Sequence, residues 1–194
     1  MAAIETVQIP LGFQAPDFRL LDTISGEYKT LESLKSDKAT LVMFICNHCP
    51  YVKFIMEELV KLGTDYLPKG VSIIAISSND AENYPQDGPD KMKELAENIK
   101  LPYPYLYDET QEVAKAYKAA CTPDFSIFDK DLKCVYRGQL DDARPSKDTP
   151  VTGKDIRAAL EAVLAGEAVN ENQTPSIGCN IKWKSGEARI DYNV

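Results

Sequence analysis

Two apolar runs decide most of what this chain can become. Residues 40–45 (TLVMFI) and Val71–Ser77 (VSIIAIS) carry few polar side chains, the pattern of strands covered on both faces of a sheet. Between them the period changes. Val52, Ile55, Met56 and Leu59 fall at i, i+3, i+4 and i+7, one face of a helix, and Pro50 suits its first position, where no N–H is needed. The alternation continues with helical spacing at Met92, Leu95, Ala96 and Ile99, then a short aromatic strand over 103–107. Asp108 and Gln111 resemble a capping box opening a helix through Val113, Ala116 and Tyr117. Residues 125–128 and 134–137 read as a hairpin joined by Asp129, Lys130 and Asp131. A last helix runs from Lys154 to Ala165 and stops at Gly166. Strands that alternate with helices predict an α/β fold, a central mixed sheet with helices on both faces. An N-terminal hairpin is expected within 13–34, from its turn signals. After Gly166 the chain becomes polar before an apolar patch over 177–183. The expectation is therefore one domain over 1–168 and a C-terminal arm over 169–194 that carries Cys179 and is not independent.

The 194 residues suffice for one complete core, and 44% hydrophobic with 27% charged residues is ordinary globular composition. A formal charge of -8 argues against nucleic-acid or anionic-membrane partners, which reward a basic face. The start MAAIETVQIPLG lacks a basic segment followed by an apolar one, so the expected location is cytoplasmic. In that reducing compartment neighbouring cysteines are more often catalytic or metal-binding than structural. Five cysteines are also an odd number, which rules out a fully paired framework within one chain.

The chemistry concentrates in FICNHCPYVK, residues 44–53. Functional groups of an open α/β sheet gather beyond the carboxyl ends of its strands. Cys46 and Cys49 fall there, with Cys49 at the N-cap of the helix that opens at Pro50. A thiolate at that point meets unpaired N–H groups and the positive end of the helix dipole, so its pKa falls. His48 and Lys53 stand close enough in sequence to assist. Two other readings compete. In one, Cys46 and Cys49 are small buried hydrophobes. In the other, Cys46, His48 and Cys49, with Cys121 or Cys179, bind a metal, although C-x-H-C lacks the usual ligand spacing. Cys134, in the alternating KCVYR, is expected to be an ordinary strand residue, Lys53 and Arg137 solvated charges, and Trp183 an anchor for the arm.

Three segments carry a family resemblance: GFQAPDFRLLDTISGEYKTLESLK at 12–35, LVMFICNHCPYVK at 41–53 and CTPDFSIFDKD at 121–131. Together they resemble the redoxin branch of the thioredoxin superfamily, which includes alkyl hydroperoxide reductase/thiol-specific antioxidant and peroxiredoxin-like proteins. The likeness spans roughly residues 12–165. It implies a thioredoxin-like fold, Cys49 as nucleophile, and Pro123 as the superfamily's cis-proline, preceded by Thr122. There are departures. The thioredoxin resolving position falls on Val52 and the buried carboxylate on Met43. The peroxiredoxin threonine and proline positions fall on Cys46 and Val42.

The resemblance therefore implies a thiol-dependent oxidoreductase with an antioxidant role. Disulfide exchange is favoured over efficient peroxide reduction, and neither an organic cofactor nor a metal is required. A second cysteine would resolve Cys49, with Cys46 first in order, then Cys121, then Cys179. A Cys46–Cys49 bond demands a sharp turn at 47–48, because three extended residues span roughly 10 Å. The arm could bring Cys179 back within the chain or to a neighbouring subunit of a homodimer. The implied partners are a thioredoxin- or glutathione-type reductant and a small peroxide or protein disulfide. A redox-inert interaction module on the same scaffold is the remaining alternative. Every catalytic version requires Cys49 to be held, ionised and reachable.

Overall fold

The computed structural model describes residues 3–185; the last part of the expected arm, 186–194, lies outside them. In chain order the strands and helices are β1 (Ala3–Glu5), β2 (Arg19–Asp22), β3 (Tyr28–Thr30), α1 (Leu31–Leu34), β4 (Ala39–Phe44) and α2 (Pro50–Tyr66). Then come β5 (Val71–Ser77), α3 (Pro89–Ile99), β6 (Tyr105–Tyr107), α4 (Glu112–Ala116), β7 (Cys121–Thr122) and β8 (Asp124–Asp129). The chain continues through β9 (Cys134–Gly138), α5 (Lys154–Ala165) and β10 (Ile177–Asn180).

Seven strands form one sheet in the order β3-β2-β6-β5-β4-β8-β9. The pairs β4/β5 and β5/β6 are parallel, whereas β2/β3, β2/β6, β4/β8 and β8/β9 are antiparallel. Strand β4 lies deep in this sheet, and its side chains divide between two cores. Leu41 and Met43 pack with Val52, Ile55 and Leu59 of α2 and with Ile156 and Leu160 of α5. Val42 and Phe44 face the other way, toward Phe18, Leu20, Ala114 and Tyr117. A strand with apolar neighbours on both sides must be apolar throughout, and that is why the run over 40–45 lacks alternation. The mixed sheet with helices on both faces is as expected, and the hairpin lies at β2 and β3, where Asp22 accepts from the N–H of Ile24 and Ser25 in the turn.

Two local expectations need correction. Helix α4 has no capping box: Gln111 precedes it with a left-handed φ of 63° and no side-chain cap. Asp108 instead reaches forward, accepting from Val113 N–H at 3.4 Å and Ala114 N–H at 2.9 Å, so the same residue caps the helix by a longer route. Arg137 is not a solvated charge but is 1% exposed. Its Nε donates to the Val7 carbonyl at 2.8 Å, Nη1 to Ser126 Oγ at 2.9 Å, and Nη2 to the Lys118 carbonyl, Thr6 Oγ1 and Asp124 Oδ2. Thr6 Oγ1 in turn donates to Asp124. Removing one partner of such a buried network costs about 3–5 kcal/mol, because the other is left desolvated and unpaired.

A second, smaller sheet lies beside the first. It has the order β1-β10-β7, all antiparallel. Strand β1 comes from a segment with no strand pattern of its own, and β10 comes from the arm. The register places Cys179 opposite Thr122 and Asn180 opposite Cys121. Gly178 is required at this junction: a Cβ there would lie 2.0 Å from the Thr122 carbonyl oxygen. The arm is thus stitched onto the loop that leads into Pro123, and the Thr122-Pro123 peptide is cis.

Candidate active site

Strand β4 delivers the chain to the carboxyl edge of the sheet, where residues 45–49 turn into α2. Cys49 is the N-cap residue of α2, with φ -63° and ψ 122°, and Pro50 occupies the first helical position. Four side chains meet above this turn. Cys49 Sγ lies 2.8 Å from Cys179 Sγ and 3.1 Å from the Thr122 carbonyl oxygen. Cys46 Sγ lies 3.4 Å from Thr122 Oγ1. All five cysteines are unbonded and buried, and the 2.8 Å separation is within an ångström of the ~2.05 Å of a disulfide bond.

The sulfurs are not equivalent. The thiol of Cys46 donates to Cys49, which draws the Cys49 pKa down to about 4. The neighbouring Cys179 thiol, the Val52 N–H and Thr122 act in the same direction and overcome the opposing effect of burial. For Cys46 the same hydrogen bond counts the other way: it holds the proton, and burial and the Asp87 carboxylate add to that. Burial and the neighbouring Cys49 push Cys179 up to about 12. The first negative charge in the cluster therefore belongs to Cys49, with the two other thiols as donors. Neutral Cys49 can donate to the Thr122 carbonyl; once ionised it accepts from its neighbours.

Reachability fares differently. Cys49 is 0% exposed, because the arm lies over it. The three sulfurs of Cys46, Cys49 and Cys179 lie within the first apolar core beside Val52 and Ile55, so Cys49 is enclosed as the arm stands, and Cys179 at 4% exposure is part of its cover. Of the three resolving candidates, Cys179 lies 2.8 Å from Cys49, and Cys46 neighbours it as well. Cys121 is fully buried, its thiol directed at the Pro123 carbonyl at 3.5 Å and its pKa pushed well up by burial. Cys134 sits in the second core, as an ordinary strand residue would. Lys53 is exposed on α2 and makes no described contact with the sulfurs. Trp183 packs against the second core from the arm side.

His48 serves a carboxylate rather than a sulfur. Its Nδ1 donates to Asp87 Oδ2 at 2.5 Å, and the ring stacks on Tyr84 with centroids 5.4 Å apart. Nδ1 stands 3.9 Å from Cys46 Sγ, a much weaker contact. Among the described residues Cys46, His48 and Asp87 are the one trio whose ligand atoms cluster closely enough to suggest a metal. Asp87 nevertheless already accepts from four N–H groups: His48 Nδ1, Asn79 Nδ2 at 2.8 Å, and the backbone of Asn47 at 2.9 Å and His48 at 3.1 Å. This trio is assembled as a hydrogen-bonded unit. Asp87, Asn79 and Tyr84 went unnoticed in the sequence. They lie in the turn-rich stretch after β5, the parallel neighbour of β4, and adjacent parallel strands bring the loops at their carboxyl ends together.

A cysteine capping a helix opposite a cis-proline loop is the arrangement that the redoxin motifs led us to expect. The sequence matches the AhpC/TSA family over residues 11–137. The chain belongs to the AhpC/TSA family. Membership gives it a thiol-dependent redox role, and the matched part holds Cys46, Cys49, Cys121, Thr122 and Pro123 but not the arm. No curated protein matches the sequence.

Two solved structures resemble the whole AhpC/TSA chain. An uncharacterized conserved protein from Geobacillus kaustophilus is 64% identical, with 96% of this chain and 99% of that one covered at a TM-score of 0.95. A hypothetical protein from Sinorhizobium meliloti is 47% identical, with 94% and 99% covered at 0.91. The thioredoxin domain of a thiol-disulfide oxidoreductase from Bacteroides vulgatus, 22% identical with 67% and 89% covered at 0.56, shares the fold.

Proposed function

We propose that the protein is a dithiol–disulfide oxidoreductase in which Cys49 is the nucleophile and Cys179, on the arm, resolves it. The observation that carries this reading is the 2.8 Å approach of the two sulfurs, one favoured as thiolate and the other still a thiol. In the reductive direction the Cys49 thiolate attacks one sulfur of a substrate disulfide. A mixed disulfide forms and the other sulfur leaves as a thiolate, which takes up a proton. Cys179 then gives up its proton and attacks Cys49 Sγ. This releases the second substrate thiol and leaves a Cys49–Cys179 disulfide. Two electrons have passed from the protein to the substrate, and a cellular dithiol of the thioredoxin or glutathione type returns them.

A disulfide substrate is favoured over a peroxide for a local reason. The position that holds threonine in peroxiredoxins holds Cys46, whose proton is engaged with Cys49. An antioxidant contribution would follow from repair of oxidised thiols. Because Cys49 is covered, substrate entry requires β10 to lift from β7, which breaks two strand pairings and draws Cys179 out of the first core.

The test is disulfide mapping by mass spectrometry after mild oxidation of the full-length reduced protein, together with turnover of a small disulfide and of a peroxide under a dithiol reductant. The expected result is a Cys49–Cys179 peptide pair and disulfide turnover that exceeds peroxide turnover. A Cys49 that stays unpaired after oxidation, or turnover that survives Cys49→Ser, would overturn the assignment.

A further inference from the structure

Asp87 ends a short 3-10 turn, Pro85–Asp87, just before α3, and it is 0% exposed. A carboxylate that deep must be met by donors, and it is met by four. Three of them belong to the two residues between Cys46 and Cys49: the N–H of Asn47, the N–H of His48 and the ring Nδ1 of His48. The fourth, Asn79 Nδ2, ties the carboxylate to the loop leaving β5. Asn79 also accepts from the Lys182 N–H at 2.8 Å, so the same side chain touches the arm. Tyr105 donates to Asn47 Oδ1 at 3.1 Å and closes the turn from the sheet side.

The carboxylate also lies within 4.8 Å of Cys46 Sγ. Two negative groups at that distance oppose one another strongly inside a protein. The other groups facing Cys46 are Thr122, His48, Cys49 and Tyr105, none of which brings a fixed positive charge, and Lys182 acts instead on Cys179. With two thiols sharing a site and one proton to keep, this asymmetry adds to the hydrogen bond with Cys49 and to burial in leaving the proton on Cys46.

We propose that Asp87 is a positioning residue for the thiol chemistry: it holds the 47–48 turn by its N–H groups and, through its charge beside Cys46, confines the reactive thiolate to Cys49. The proposal rests on the reading of Cys49 as nucleophile. It adds the reason why, of two cysteines three residues apart, the second is the reactive one. Holding the turn and directing the charge are separable. Asparagine retains an acceptor oxygen for the two backbone N–H groups but lacks the charge, whereas alanine lacks both.

The experiment alkylates the reduced full-length protein with iodoacetamide and measures the Cys49:Cys46 modification ratio by mass spectrometry, in the wild type, Asp87→Asn and Asp87→Ala, with melting curves alongside. The wild type is expected to react chiefly at Cys49. In Asp87→Asn the ratio should fall by at least about tenfold with the fold retained. Asp87→Ala should show the same fall together with a lower melting temperature. An Asp87→Asn protein that folds and keeps the wild-type ratio would overturn the role of Asp87 while leaving Cys49 as nucleophile. A wild type that reacts equally at both sulfurs would overturn both readings. Cysteine Cβ chemical shifts of the wild type provide an arm that does not depend on a variant folding. Cys46 should keep its thiol shift while Cys49 titrates, and the opposite order would refute the proposal.

Discussion

Cys49 and Cys134 are almost equally hidden, at 0% and 1% exposure, and each belongs to an apolar core, yet their polar neighbours differ. Cys134 lies in the second core, where burial dominates and pushes its pKa up to about 11. Cys49 lies where the sheet's carboxyl edge meets the arm, among two thiols, a helix N–H and Thr122, and its pKa falls to about 4. Burial opposes ionisation at both. The difference is the set of donors, so a cysteine's depth does not predict its reactivity until its hydrogen-bond partners are named.

The sharpest way to break this comparison is serine replacement at each site. Cys49→Ser should lower dithiol-dependent turnover by about 10³-fold or more, whereas Cys134→Ser should leave it within about twofold. Comparable losses in both variants would show that the two interiors are not chemically distinct. Next, Cys179→Ser should trap the mixed disulfide at Cys49, visible as a persistent adduct by intact mass, and slow turnover by roughly 10- to 100-fold.

Titration offers a third contrast. Thiolate absorbance should show a first transition near pH 4 that vanishes in Cys49→Ser, and one near pH 11 that vanishes in Cys134→Ser. The linkage has opposite signs at the two residues. Cys49, depressed from 9.0, contributes stability that is complete above 9.0 and is lost as pH falls through about 4. Cys134, raised from 9.0, contributes stability that is complete below 9.0 and is lost as pH rises through about 11. The smallest expected effect is at Gly178→Ala. The new Cβ would force β10 away from Thr122, so Cys49 should alkylate several-fold faster while the melting temperature falls by a few degrees. An unchanged alkylation rate there would mean that the arm does not control access.

The central sheet was legible because its signals are local and repeated: the apolar run of β4, the helical spacing of Val52, Ile55 and Leu59, and the turn between β8 and β9 all state their structure within a dozen residues. Cys49 and Pro50 were legible for the same reason. Asp87 was not, since nothing in a turn-rich loop marks one acid as the partner of a histidine 39 residues earlier. Arg137 misled because charge normally implies solvent, and only the fold brings Thr6, Ser126 and Asp124 around it. The contact of Cys179 with Cys49 was not legible either, since 130 residues separate them and only the pairing of 179–180 with 121–122 closes that distance.

Strand β10 is gripped from two sides, by β7 and by β1. A lift of β10 from β7 therefore either carries Ala3, Ile4 and Glu5 along with the arm or breaks their pairing with it. Far from the sulfurs in sequence, these opening residues are mechanically one step away, and a spectroscopic label placed on them would register each cycle of electron transfer without touching the reacting atoms.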